Sequence, residues 1–104
     1  MSKRSVAEVF SALGDETRLA VVRKLGKAPL SATALTGGAG VTRQAIAKHL
    51  AVLEGAGLVT HEKRGREVLY LLDAHRLRGA RAYLDAVSAQ WDRRIDRLRR
   101  LVEE

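Results

Sequence analysis

Cysteine is absent from the 104 residues. That excludes a disulfide framework, a thiolate metal site, a cysteine nucleophile and a thiol redox switch. Long apolar runs are absent as well. Met1-Ser2-Lys3-Arg4 leads into an amphipathic stretch carrying Glu8, with neither the apolar core of a signal peptide nor the length of a membrane span. A cytoplasmic location is therefore expected. No internal repeat or low-complexity tract is visible, and no catalytic constellation assembles. His49, His61 and His75 fall on different expected elements. The Gly37-Gly38-Ala39-Gly40 run lacks the Gly-Lys-Ser/Thr that would make it a phosphate cradle. An enzyme is thus disfavoured, and no cofactor is expected.

What is present is positive charge on a chain able to fold. Hydrophobic residues make up 46% of the sequence, enough for a packed core, and the length fits one domain spanning residues 1–104. Lys and Arg number 19 against 12 Asp and Glu, a net charge of +7, which suits a polyanionic partner. Nucleic acid and an anionic membrane surface both qualify. The basic residues are spread through an apolar, patterned chain and are not gathered in a tail.

Val6, Val9, Phe10 and Leu13 recur at helical spacing up to Gly14, and Leu19, Val22 and Leu25 do so between the N-cap candidate Asp15 and Gly26. Ser31 can cap a short third helix through Leu35 and Thr36, before the glycine-rich turn. A fourth helix follows, capped by Thr42, with Ile46, Leu50 and Leu53 as its buried stripe and Gly55 and Gly57 as its stop. Two helices about a short turn, over about 31–55, form a helix-turn-helix candidate. Leu58–Lys63 and Glu67–Leu72, separated by Arg64-Gly65-Arg66, read as a β-hairpin over about 58–72. Asp73 can cap a last helix over about 74–102. The fold class expected is mainly α with one small hairpin, a winged helix-turn-helix.

With Ile46, Leu50 and Leu53 inward, a step of about 100° per residue turns Gln44, Lys48 and Ala51 outward, while Arg43 splays from the first turn. Gln pairs with adenine and Arg with guanine, Lys suits a phosphate, and small Ala45, Ala47 and Ala51 let the helix lie deep in a groove. The contact candidates for double-stranded DNA are Thr42, Arg43, Gln44, Ala45 and Lys48, with Lys63, Arg64 and Arg66 on the wing touching phosphates or the minor groove. His49, on the flank of the buried stripe, reads as a structural hydrogen-bonding group. An ordinary solvated helix face and a solubilising turn are the plain alternatives. As a whole, the chain reads as a sequence-specific regulator, with a winged helix used for protein contacts as the rival.

In the last helix, Leu77, Leu84, Trp91 and Leu98 recur every seven residues with Ala80, Val87 and Leu101 between them. This seam is longer than the hairpin can cover, and a second copy of the chain would bury it, leaving no free apolar stripe for a membrane. Arg93, Arg94, Arg97, Arg99 and Arg100 interleave with Asp92, Asp96, Glu103 and Glu104. That pattern reads as a solvated, salt-bridged face, or else as a second polyanion contact.

Three separated motifs carry a resemblance over about residues 6–102. They are Val9-Phe10-Ser11-Ala12-Leu13-Gly14-Asp15-Glu16-Thr17-Arg18-Leu19, then Lys48-His49-Leu50-Ala51-Val52-Leu53-Glu54 with Ala56-Gly57-Leu58-Val59, and then Arg64-Gly65-Arg66-Glu67 with Tyr70. In this order they resemble the ArsR/SmtB family of bacterial regulators. The resemblance implies a homodimer through the first and last helices, with Val6 and Phe10 joining Leu77, Leu84, Val87, Trp91 and Leu98 at the interface. It also implies repression at an inverted-repeat operator, usually relieved by an effector, whose identity the sequence does not give. Family members that sense zinc between their last helices carry Asp-x-His and, ten residues on, His-x-x-Glu. Here Asp73 and His75 match the first half, but Ala86 and Ala89 stand in the second. Two ligands do not make a transition-metal site, so no metal is expected. The Thr42-Arg43-Gln44-Ala45-Ile46 start of the fourth helix, with Trp91 in the last helix, is similar to the branch of the family without metal ligands.

Overall fold

The computed structural model describes residues 3–37 and 40–103. Gly38 and Ala39 of the expected turn lie outside the described residues. In chain order it has α1 (Lys3–Leu13), α2 (Glu16–Leu25), β1 (Leu30–Ser31), α3 (Ala32–Thr36), α4 (Arg43–Gly55), β2 (Val59–Arg64), β3 (Glu67–Leu72) and α5 (Ala74–Glu103).

Four helices start where a side-chain oxygen satisfies an otherwise orphaned N–H. Asp15 Oδ2 accepts from the Arg18 N–H at 3.0 Å, Ser31 Oγ from Ala34 at 3.2 Å, Thr42 Oγ1 from Ala45 at 3.1 Å and Asp73 Oδ1 from His75 at 3.0 Å. Helix α4 ends in a Schellman motif, in which the Gly57 N–H donates to Glu54 O and the Leu58 N–H to Leu53 O, both at 3.0 Å. Gly57 takes the left-handed conformation this requires, at φ +77°. Leu53 and Leu58, the apolar pair that accompanies such an ending, are fully buried.

The core gathers Val9 and Ala12 of α1, Val21 and Leu25 of α2, Leu35 of α3, Ile46, Leu50 and Leu53 of α4, and Ala80 of α5, with Leu58 and Val59 entering the wing. Each fully buried Leu, Ile or Val stabilises the fold by roughly 1.5–3 kcal/mol. The expected stripe of α2 holds at Leu25, which is buried, and at Val22, which packs half-buried on the core, but not at Leu19. Leu19 is 45% exposed, whereas Val21 and Leu25 are buried. Arg18 occupies the inward position one turn before Val21 and Val22, so a charged residue stands where a hydrophobic period would place an apolar one.

The sheet, in the order β1-β3-β2, is antiparallel throughout. Arg64 pairs with Glu67, leaving Gly65 and Arg66 as a two-residue loop. With Gly65 at φ +60°, and with no non-glycine residue at positive φ among the described residues, the turn is of type II′. It is one residue tighter than expected, and Leu58 precedes the strand. Strand β1 is additional to the expected elements, because two residues carry no period. Its pairing of Leu30 with Tyr70 ties the start of α3 to the wing.

Helix α5, with 30 residues, carries the chain out to 68 Å in its longest dimension. The radius of gyration is 18.2 Å, against about 13 Å for a compact chain of this size. The expected seam divides along it. Ala80 is buried and Leu77 half-buried on the core of the same chain, and Phe10 of α1 meets Tyr83 with ring centroids 6.0 Å apart. Beyond that point Leu84, Val87, Trp91 and Leu98 are exposed, the last two by 60% and 61%. Phe10 and Leu77, expected between copies, are thus partly covered within one. Among the described residues the ion pair on α5 is Arg81–Asp85 at 3.9 Å, and none joins Arg93, Arg94, Arg97, Arg99 or Arg100 to the interleaved acids.

Candidate nucleic-acid interface

With Ile46, Leu50 and Leu53 buried, α4 turns Arg43, Gln44, Ala47, Lys48 and Ala51 to solvent, while Ala45 is half-buried. Thr42 is exposed, but its hydroxyl is engaged as the cap of α4. On the wing Lys63, Arg64 and Arg66 are exposed. Arg64 holds Glu62, with Nη2 at 3.0 Å and Nε at 3.2 Å from Oε1. An exposed pair of this kind contributes little and exchanges readily for a phosphate.

Arg43 at the start of α4 and Arg66 at the wing tip line one open groove of about 560 Å³. Ser31, Thr33 and Tyr70 line it from the α3 side and from β3, and Glu67 sets one carboxylate on its margin. The β1–β3 pairing brings these walls together. Gln44, Lys48, Lys63 and Arg64 do not line this groove. The contribution of α3 and Tyr70 has no signal in the sequence, because it depends on the two-residue strand.

Two contacts brace α4 from outside this face. Glu54 in its last turn touches His61 of β2, whose ring lies 5.8 Å from that of Tyr70. At the other flank His49 meets Arg18 and lies near Asp15, which bears out its structural role. The backbone N–H of Arg18 holds the Asp15 carboxyl below its ordinary value, aided by the charges of Arg18 and His49 and opposed by desolvation.

The donor set does not suit a metal ion. Asp73 is engaged as the cap of α5, His75 is exposed, and Ala86 and Ala89 offer no ligand atoms. No cluster of three His, Cys, Asp or Glu that could hold a metal occurs among the described residues. No helix among them is long and apolar enough to cross a membrane.

Residues 13–62 match the helix-turn-helix domain family. The HTH-type transcriptional regulator Rv2034 of Mycobacterium tuberculosis is 34% identical over 100 residues, covering 96% of this chain and 91% of that protein. The HTH-type transcriptional repressor SmtB of the same species is 37% identical over 84 residues, covering 81% of this chain. The match takes in 61% of SmtB, so the chain spans about three fifths of that relative's length. Among solved structures, an ArsR-like transcriptional regulator from Rhodococcus sp. RHA1 superposes with a TM-score of 0.81 at 41% identity, over 94% of this chain and 92% of that one. These relatives are regulators and not enzymes. With a helix-turn-helix, a glycine-tipped wing and a long last helix, the chain belongs to the ArsR/SmtB family of winged helix-turn-helix transcriptional regulators.

Proposed function

We propose that this chain is a dimeric, sequence-specific DNA-binding repressor that reads an inverted repeat in the cytoplasm. The observation that carries this reading is the convergence of Arg43 and Arg66, from two elements far apart in sequence, on one open groove. Two guanidinium groups at one site suit the phosphate backbone. Gln44 and Lys48, further along the exposed face of α4, are placed to enter the major groove, with Gln44 as the base-reading side chain and Lys48 as a phosphate contact. Lys63 and Arg64 extend the positive edge along the wing. Thr42 and Ala45 fix the start of the helix and let it approach closely.

Dimerisation is supported by the exposed apolar stripe of α5. Leu84, Val87, Trp91 and Leu98 project beyond the part of the helix that α1 covers. A second copy supplies the same stripe, and the exposed edges of Val6, Phe10 and Leu77 extend it toward the body. Paired recognition helices read two half-sites related by the dimer axis. Repression is carried over from the SmtB relative, a transcriptional repressor, and metal control through Asp73 and His75 is not part of the proposal.

The test is binding to DNA from immediately upstream of the chain's own gene, against a scrambled duplex of equal length, through about 50 to 200 mM salt. Tight binding to the native fragment is expected, at two chains per site. Equal binding to both duplexes removes sequence specificity, and binding to neither turns the winged helix toward protein contacts.

A further inference from the structure

Arg18 and His49 lie off the proposed DNA face, at the junction of α1, α2 and α4. We infer that they form a positioning tie that fixes the rotational setting of the recognition helix against α1. The inference rests on the DNA-binding reading above. Arg18 points inward from α2. Its Nε donates to Ala12 O at 2.6 Å and its Nη2 lies 3.4 Å from Ser11 O. Those carbonyls end α1, where a cation also complements the helix dipole. The remaining arm, Nη1, is 3.3 Å from His49 Nδ1. One guanidinium therefore joins the end of α1 to the flank of α4.

The chemistry assigns the protonation of the histidine. Arginine is always a donor, so Nδ1 accepts from Arg18 and the ring proton of neutral His49 sits on Nε2. Asp15 Oδ2 is 3.7 Å from the same Nδ1. An ion pair there needs a proton on Nδ1, and that proton removes the acceptor and sets two cations face to face. The two contacts exclude each other. Asp15 and Arg18 are the charged groups that contact His49 from α2 and its cap, while α1 presents the Ser11 and Ala12 carbonyls.

The tie matters because apolar packing is non-directional. Ile46, Leu50 and Leu53 keep α4 on the core and set its inward face, and a hydrogen bond at one flank adds a directional restraint on its rotation. Rotation of α4 moves Gln44 and Lys48 relative to α1, and in a dimer joined partly through α1 it alters the register of the two half-sites. Loss of the tie should lower specific binding by about tenfold, the worth of one well-placed hydrogen bond. Nonspecific binding depends on charge and should not change.

Three full-length variants test this. His49→Asn keeps an acceptor where Nδ1 stands and cannot be protonated, His49→Leu keeps bulk without an acceptor, and Arg18→Lys keeps the charge without the three-way reach. Binding to upstream and scrambled DNA is measured at pH 8, with amide hydrogen exchange over residues 43–55. At pH 8, His49→Asn should match the parent, while His49→Leu and Arg18→Lys lose about tenfold on the upstream duplex only. Unchanged specific binding in His49→Leu, or a tenfold loss in His49→Asn, overturns the tie. If the parent binds no DNA, the functional reading fails and exchange alone decides. Faster exchange over 43–55 in His49→Leu but not in His49→Asn supports the tie, and equal exchange overturns it. Should His49→Leu not fold, the DNA binding of His49→Asn and of Arg18→Lys decides between the same two outcomes.

Discussion

Gly55 and Gly57 share a place in the sequence pattern, as the pair that stops the recognition helix, yet they have opposite physical roles. Gly55 is helical, and a Cβ built on it meets nothing within 4 Å. Gly57 is left-handed, and a Cβ there stands 2.2 Å from Arg76 Nε. Gly57→Ala should therefore destabilise the protein by about 1–2 kcal/mol in urea titrations, from the αL penalty alone, with more if Arg76 resists displacement. Gly55→Ala should stabilise it by about 0.5–1 kcal/mol. Equal effects would contradict the Schellman ending. Asp15 gives a prediction of pH dependence. Its carboxyl is held low, first by the Arg18 N–H and then by the charges beside it. A carboxylate with a depressed folded value contributes stability that is present above the unfolded value, about 3.9, and is lost as pH falls through the folded one. Asp15→Asn keeps a cap acceptor and loses the charge. The gap in urea midpoint between parent and variant should be constant above about pH 5 and close below about pH 4. A gap that persists in acid would mean the ionised carboxylate is not the stabilising form. On the DNA side, Lys48→Ala should weaken binding to every duplex and reduce the salt slope by about one unit, while Gln44→Ala should relax discrimination at one base position. Indistinguishable behaviour of the two variants in a binding series over single-base substitutions would show that α4 is turned differently.

Among the elements, the recognition helix is the most legible in the sequence. Thr42, the stripe of Ile46, Leu50 and Leu53, and the glycines after it mark both ends and the buried face, because each rule acts within a few residues of chain. Helix α2 is legible in extent and in its second half, where Val22 and Leu25 pack inward, but not in its first turn, where Leu19 is exposed. Arg18 takes an inward position and satisfies the Ala12 carbonyl at the end of α1, a demand that the α2 sequence alone does not display. The β1 strand and the groove it helps build are hidden for a related reason. Pairing of Leu30 with Tyr70 joins residues 40 apart, and no local pattern announces it. The wing shows the same division. Its strands and basic tip follow from alternation and from Gly65, but that Arg66, and not Lys63 or Arg64, lines the groove with Arg43 follows from strand register. Arg66→Ala should accordingly lower affinity and salt dependence for specific and scrambled DNA alike, by about one phosphate contact. The same change at Arg64, already paired with Glu62, should do less. A larger loss at Arg64, read from the same salt titration, would displace the groove as the backbone contact.

At the scale of the whole molecule, the projecting half of α5 is the feature that a single chain leaves unexplained. An apolar stripe that stays exposed from Leu84 onward gains little from its own body, and lone helices are marginal in water without a packed face. In the proposed dimer, burial against a second copy would resolve this and make folding and association one process, so stability should depend on protein concentration. The sequence contains a single tryptophan, Trp91, which sits in the free stripe and reports on it directly. Dilution of the protein should shift its emission to the red and lower the thermal midpoint together. Leu84→Glu combined with Leu98→Glu should give a monomer by sedimentation, with Trp91 emission red-shifted at every concentration. Such a monomer retains α4 and the wing but presents one half-site reader, and it carries half the charge of the pair, so it should lose the preference for upstream DNA while keeping weak, salt-sensitive binding. If instead the parent sediments as a monomer and its emission ignores dilution, two-fold reading of an inverted repeat is excluded, and the stripe of α5 must be covered by something other than a second copy.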